Sequence, residues 1–291
     1  MTVAVIALTA CTHNIGGRTP FVFGIIGDQT GASDLADAYK ILERGVGRLL
    51  AERPSVVLHT GDLVESTLPE NAYREMFQRG TSLLGKLSAP WYLTAGDHDV
   101  NPTKSTNNEW SCTYDSDDRS RETLFRSLYG AQNPLARDRL YYSFDAGGYH
   151  FISLYSHEAK CVDPRWGPIL LARISKDQRQ WLEDDLKHHA TATGTIVFLH
   201  QPLWYNWPGW SDVHALLRRY QVTAVIAGHF HYNQDDGEID GVRYLVVGAT
   251  GGDIKRGNAA AGGIHHVTLV KLRGRDRPAG RFQWINGRCV S

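Results

Sequence analysis

Short apolar runs recur along the chain, and many end in the same kinds of polar residue. Phe21 to Ile26 runs into Gly27-Asp28, Val56 to His59 into Gly61-Asp62, and Trp91 to Thr94 into Gly96-Asp97-His98-Asp99. Runs of this length bounded by glycine read as buried strands, each delivering a carboxylate at its C-terminal end. Between the first two, Leu35, Tyr39, Leu42, Val46 and Leu49-Leu50 recur at three- and four-residue spacings and predict an amphipathic helix. Pro69 to Leu87 predicts a second helix. Strand, helix, strand, helix, strand is a layered alternation, not a meander.

The stretch from Asn101 to Arg139 breaks the pattern. It is polar, with one helix expected around Arg121 to Tyr129, and reads as an insertion over the end of the sheet. Strands are expected again at Leu140 to Phe144 and His150 to Leu154, followed by an irregular stretch from Tyr155 to Ile174 and a helix from Lys176 to His189. Ile196 to Leu199 is a further buried run, ending at His200. A Trp/Tyr/Pro-rich loop, Trp204 to Trp210, precedes a helix at Val213 to Tyr220. Val222 to Ile226 ends in Gly228-His229-Phe230-His231, and strands are expected near Val242 to Val247, His265 to Leu272 and Arg281 to Ile285. No internal repeat appears. Residues 21–291 read as one α/β sandwich carrying an insertion at about 101–139, and residues 1–20 stand apart from it.

Composition narrows the function. The 291 residues are 42% hydrophobic and 21% charged, enough to bury a sizeable core. Lys+Arg and Asp+Glu number 31 each, so no net charge draws the chain to nucleic acid or anionic membrane. A polyanionic partner is not expected, and the protein is a monomer or an oligomer of unspecified order. Thr2 to Cys11 is apolar from Val3 to Leu8 and closes in Leu8-Thr9-Ala10-Cys11, which resembles a bacterial lipobox. The run is short and no Lys or Arg precedes it, defects that a start placed too far downstream would explain. Export, with lipid attachment through Cys11 to the periplasmic or outer surface, is the preferred reading. A disordered N-terminus on a cytoplasmic protein is the alternative. Cys112 and Cys161 are candidates for one bridge if Cys11 is lipidated; with Cys289 the four cysteines are too scattered for a disulfide framework.

The chemistry lies at the strand ends. Asp28, Asp62, Asp97-His98, His200 and His229-x-His231 each follow an apolar run. Alone, each aspartate reads as a cap or turn residue and each histidine as a satisfied polar side chain. Those readings do not explain why all of them sit at strand ends, where ligands of open α/β folds bind. Six oxygen and nitrogen donors converging there suit two adjacent divalent or trivalent metals.

In their order, Asp28, Gly61-Asp62, Gly96-Asp97-His98-Asp99, Val197-Phe198-Leu199-His200 and Gly228-His229-Phe230-His231 resemble the calcineurin-like metallophosphoesterase superfamily. Gln178-x-x-Trp181-Leu182 adds to the likeness. The Val-x-x-His form, and the lack of a histidine after Asp28, are similar to the purple acid phosphatase branch. The resemblance implies a four-layer α/β/β/α sandwich, two mixed sheets flanked by helices with a dinuclear centre at one edge. It implies Asp62 as the bridge, Asp28 and His231 on the first metal, and Asp97, His200 and His229 on the second. His98 would stand beside them without ligating.

The sequence departs from the family twice. Asp28-Gln29-Thr30 replaces Asp-x-His, and Glu65 occupies the place of the purple acid phosphatase tyrosine. The first metal is therefore short of one ligand, for which Thr30, Glu65 or a water are candidates, Glu65 being preferred. Asp97 stands where the family carries asparagine, adding a negative charge that disfavours a phosphate dianion relative to a monoanionic diester.

The activity expected is metal-dependent hydrolysis of phosphoric esters, mono- or diester, by two metal ions (Mn, Fe or Zn) and a bridging hydroxide. His98 is the candidate general acid, with Asp99 able to orient it or raise its pKa, or else a turn cap. Trp204, Tyr205, Trp207 and Trp210 are candidates for one wall of the substrate site, and Trp110 and Tyr114 for the opposite wall. Arg256, His157 and His265 are candidate phosphate contacts that nothing in their spacing separates from ordinary surface residues. The alternative function is metal or phosphate binding on a degenerate phosphoesterase fold.

Overall fold

The computed structural model describes residues 20–32, 34–101, 111–113, 119–163, 167–171, 173–255, 257, 261–272, 283–284 and 288–289. The signal-like stretch, Trp110, Tyr114 and Arg256 lie outside the described residues.

Three parallel strands open the first sheet: β1 (Phe21–Ile26), β2 (Val56–His59) and β3 (Trp91–Leu93). The helices α1 (Leu35–Glu52) and α2 (Glu70–Leu84) connect them, and the turn α3 (Asp97–Val100) follows β3. After the short strand β4 (Ser111–Thr113) and helix α4 (Ser120–Gln132) come β5 (Tyr142–Ala146) and β6 (Tyr149–Ser153), an antiparallel pair. Next are β7 (Ala159–Asp163), β8 (Gly167–Leu171), α5 (Lys176–His188), β9 (Thr195–Leu199), α6 (Trp210–Arg219) and β10 (Ala224–Ala227). The remaining strands are β11 (Gln234–Ile239), β12 (Val242–Val246), β13 (His266–Leu272), β14 (Gln283–Trp284) and β15 (Arg288–Cys289). The first sheet runs β14-β13-β1-β2-β3, with β15 also on β13, and the second runs β11-β12-β10-β9-β6-β5. Each mixes parallel and antiparallel neighbours. Helices cover both outer faces, giving the four layers α/β/β/α.

Side-chain alternation builds these layers. On the second sheet, Phe151, Ile196, Phe198, Ala224, Ile226 and Leu245 face the first sheet and join its core. Their neighbours Ile152, Val197, Leu199, Val225 and Tyr244 turn outward onto Leu182 and Leu186 of α5 and Val213 and Leu217 of α6. A one-residue slip would exchange the two sets, so burial on both faces fixes the register. Phe23 meets Phe151 edge-on across the sandwich at 5.5 Å between ring centres. Burying one such ring contributes about 1.5–3 kcal/mol. Asp34 caps α1 through the Ala36 amide, and Ser175 caps α5 through that of Gln178.

The two stretches expected to be irregular behave differently from that reading. β4, β7 and β8 form a small third sheet in which Cys112 lies opposite Cys161. β11 was not expected either. Its sequence, Gln-Asp-Asp-Gly-Glu-Ile, is acidic, but it lies at a sheet edge with a register shift between Asp235 and Gly237, where charge and a bulge discourage further pairing. Among the described residues, no helix is long and apolar enough to cross a membrane.

Candidate metal centre

Because β1, β2, β9 and β10 run parallel within their sheets, their C-terminal ends gather at one edge of the sandwich. Two clusters form there. In one, Asp97 Oδ1 stands 2.9 Å from His200 Nε2 and 3.0 Å from His229 Nδ1, and the two nitrogens are 3.2 Å apart. Donors about 2.1 Å from a common ion are roughly 3.0 Å apart at right angles and roughly 3.4 Å apart in a tetrahedron. The triangle therefore matches one face of a coordination shell. His200 Nδ1 donates to the Thr60 carbonyl at 2.7 Å, which leaves the Nε2 lone pair turned inward.

The other cluster is Asp28, Asp62 and His231, all buried. His231 Nδ1 donates to the Asp253 carbonyl at 2.6 Å, and its Nε2 faces Asp28 Oδ1 at 3.6 Å. The clusters adjoin, with Asp62 Oδ2 3.3 Å from His200 Nε2. This donor set, carboxylates with three imidazoles of which His200 and His231 have their far nitrogens tied to carbonyls, fits two metal ions. Asp62 lies between the clusters, the place of a bridging ligand.

Local backbone holds these groups under strain. Asp28 (φ 58°), Asp62 (φ 59°), His229 (φ 68°) and His231 (φ 54°) all lie in the left-handed region, which side chains other than glycine rarely enter. Close approach also demands glycine nearby. A Cβ on Gly96 would fall 2.1 Å from Asp62 Oδ1, and one on Gly228 would fall 2.3 Å from Asp28 Oδ2.

Charge is correspondingly compressed. Burial raises the Asp28 pKa despite His200 and His231 nearby. Burial pushes the same way on Asp62, but His200 and His98 overcome it and bring that carboxyl down to about 2. Burial likewise opposes the ionisation of Asp97, which His229 and His200 still hold well below the ordinary carboxylate range. His200 sits well above the imidazole range, since its carboxylate neighbours outweigh burial. A bound ion would take the place of those protons.

Beyond the donors, the structure reassigns several expected roles. Glu65 stands outside both clusters; its Oε2 contacts His98 Nδ1 at 2.7 Å, and its Oε1 accepts from Thr67. Thr30 gives its hydroxyl proton to Asp62 Oδ2 at 3.2 Å. Asp99 does not orient the His98 ring. Its carboxylate accepts from the amides of Asp62, Val64 and Gly96, tying the β2 and β3 loops together. Against burial, Asp62 and Glu65 push the His98 pKa up to about 10. Burial and the Asp62 charge raise Asp99 to about 7.

The aromatic loop divides. Trp204 donates to Asp236 and packs on Tyr244, 4.9 Å between ring centres, while Trp207 and Trp210 pack into the α5/α6 layer. Tyr205 also reaches Asp236, and its ring meets Phe230 at 5.3 Å. Phe230 lies 5.5 Å from the His229 ring and 5.4 Å from Tyr232. Phe230 and Tyr232, which the sequence reading left out, thus carry the aromatic surface up to the centre. His157 was expected to resemble a surface residue, yet it is fully buried with its ring 5.7 Å from that of His200. Burial drives its pKa down to about 3, so the ring is neutral. His265 is half-buried, bonded to the Ala249 backbone. Beneath the site, His59 Nε2 donates to Gln29 Oε1 at 2.8 Å and its Nδ1 accepts the Gly61 amide.

The chain matches the calcineurin-like phosphoesterase family over residues 4–233. It belongs to that family. Purple acid phosphatase 23 of Arabidopsis thaliana is 26% identical over 220 residues, 64% of this chain and 43% of that protein. Purple acid phosphatase 13 of the same plant is 32% identical over 120 residues, 41% of this chain and 18% of that one. The chain thus spans less than half the length of these relatives. Unlike the tyrosine-bearing purple enzymes, its clusters contain only aspartate and histidine. Among solved structures, a dimetal phosphatase from Danio rerio is similar with a TM-score of 0.63 at 15% identity, over 89% of this chain and 98% of that one. GAP50, the anchor in the inner membrane complex of Plasmodium, gives 0.51 at 13% identity, over 94% and 90%. At these identities both show the fold alone.

Proposed function

We propose that this protein hydrolyses phosphoric esters at the two clusters, as a phosphomonoesterase or a phosphodiesterase. The observation that carries the reading is the coordination-sized triangle of Asp97, His200 and His229 next to Asp28, Asp62 and His231, with His98 beside Asp62. Two ions (Mn, Fe or Zn) held there would supply an activated water and neutralise phosphoryl oxygens during in-line displacement.

The chain's own residues do the rest. The His98 amide donates to Asp62 Oδ1 at 3.0 Å, which fixes the loop that carries the imidazole. Glu65 holds Nδ1 and keeps the ring protonated, so that Nε2–H is the donor for the departing oxygen. Asp99 fixes the positions of Asp62 and Gly96 relative to each other. Tyr205, Phe230 and Tyr232 offer ring faces beside His229, suited to an aryl or nucleobase leaving group. Attachment to a membrane surface through lipidated Cys11, with a small phosphorylated substrate reached outside the cytoplasm, belongs to the same proposal and rests on the sequence of Thr2 to Cys11.

One observation favours a second reading, a protein that binds metal or phosphate without turnover. With Glu65 engaged by His98 and Thr30 by Asp62, the first cluster has three protein ligands. Elemental analysis of protein purified without chelator, alongside hydrolysis of paired aryl phosphate mono- and diesters, separates the two. Two ions per chain with turnover is the expected result. Two tightly held ions with no turnover of any ester would establish the second reading.

A further inference from the structure

His157 follows β6, the strand beside β9, whose end carries His200. Its ring is enclosed, and its Nε2 has no hydrogen-bond partner. The nearest anionic atom is Asp97 Oδ1 at 3.9 Å, beyond hydrogen-bonding distance. The other ring nitrogen has a hydroxyl beside it that can supply its proton. Nδ1 lies 3.2 Å from Ser156 Oγ, and the second contact of that oxygen is the Gln201 amide, itself a donor. With the Ser156 hydroxyl donating to Nδ1, Nε2 carries the ring proton. Nε2 is then a buried N–H donor without an acceptor, aimed toward the Asp97 side of the centre, and so unsuited to ligate an ion. Buried donors are almost always paired, so an unpaired one in a site marks where an acceptor arrives.

We propose that His157 contacts the substrate, donating its Nε2–H to a phosphoryl oxygen bound at the Asp97–His200–His229 cluster. The inference rests on the phosphoesterase reading and adds to it a buried donor on the Asp97 side of the site.

The test uses the Mn²⁺-loaded full chain and inorganic phosphate as the probe. His157→Ala and His157→Phe both remove the donor, and the phenyl ring keeps the buried volume filled should the alanine variant fold poorly. His157→Gln restores an N–H at similar reach. Calorimetry gives phosphate affinity, and competition with a chromophoric chelator gives metal affinity. The expected result is about a tenfold weaker phosphate affinity in the phenylalanine variant, the size of one hydrogen bond to an anion. Metal affinity should change less than twofold, and glutamine should recover most of the loss. Unchanged phosphate affinity would overturn the proposal, and so would a loss of metal affinity large enough to account for the weaker phosphate binding. Phosphate binding that depends on His157 in a protein that cleaves no ester would refute the hydrolase reading while leaving this one standing.

Discussion

Replacing Glu65 with glutamine keeps the shape of its contact with His98 and removes the charge. His98 Nδ1 and Glu65 Oε2 are 2.7 Å apart, with the two side chains 37% and 22% exposed. A unit ion pair at that distance is worth roughly 6 kcal/mol at an effective dielectric of 20 and roughly 1.5 kcal/mol in water. The half-open setting places the pair near the lower figure, and the glutamine oxygen still accepts. The loss is therefore about 1.4 kcal/mol, one pH unit in the His98 pKa. Glu65 raises that pKa, and the protonated ring is the form that can give a proton to the leaving group. Turnover should accordingly fall as pH rises through the pKa, and Glu65→Gln should move that basic limb about one unit toward lower pH. Bound cations also lower the pKa from the value of about 10 that the protein reaches without them, so variant and wild type must carry the same ion content. The assay is kcat against pH for an alkyl phosphate ester, whose leaving group needs the proton, beside a nitrophenyl ester, whose leaving group does not. A basic limb that stays in place for the alkyl ester, at wild-type ion content, would refute the assignment of His98 as the acid.

Asp97→Asn removes one negative charge beside the phosphoryl position. An added charge on the substrate about 4 Å away costs about 1 kcal/mol in a watery site, so the monoester-to-diester ratio of kcat/KM should rise about fivefold. A ratio that stays level or falls counts against the Coulomb argument. Gly228→Ala sets a methyl group 2.3 Å from Asp28 Oδ2 and should empty the first cluster, visible as loss of about one ion per chain by elemental analysis. Two retained ions would show that the loop can yield. At the far end of β6, His150 sits between Asp185 and Asp145, 2.8 Å from each, and these carboxylates raise its pKa against burial. That stabilisation is complete below the ordinary imidazole pKa and disappears as pH rises through the raised one. Asp185→Asn should therefore cost about 1–2 kcal/mol in urea unfolding below the ordinary imidazole pKa and much less once the pH has passed the raised one. A penalty independent of pH would mean that the His150 charge does not change across that range and would refute the linkage.

The strand ends were legible because two signals coincide there. A run such as Thr195–Leu199 can only be buried, and the His200 that follows it must be either paired or a ligand. Sequence order then brings Asp28, Asp62, Asp97 and the histidines to one edge, because the strands that carry them run parallel. The local partnerships were not legible. Glu65 and Asp99 are both carboxylates near His98, and only the conformation of the loops decides that Glu65 takes the ring while Asp99 takes three backbone amides. His157 stands alone in sequence, and its place depends on β6 lying against β9. In the small third sheet β4 joins β7 and β8 from a segment distant in sequence, with no long apolar run to announce it. Trp204 has the residue type of a ligand wall, yet Asp236 and Tyr244 draw it toward the scaffold.

Each cluster takes its donors from both halves of the sandwich. Asp28 and Asp62 extend from the first sheet to meet His231 from the second, and Asp97 extends from the first to meet His200 and His229 from the second. Cations held there would fasten the two sheets at the rim, beside hydrogen bonds that already cross it, such as His200 Nδ1 to the Thr60 carbonyl and the Thr250 amide to the Gly27 carbonyl. Sliding one sheet past its partner by a single ångström would pull both coordination shells apart together. The mechanical alignment of the domain and its capacity to hold metal are thus one property, and a core substitution far from any ligand could erode it by letting the sheets shift.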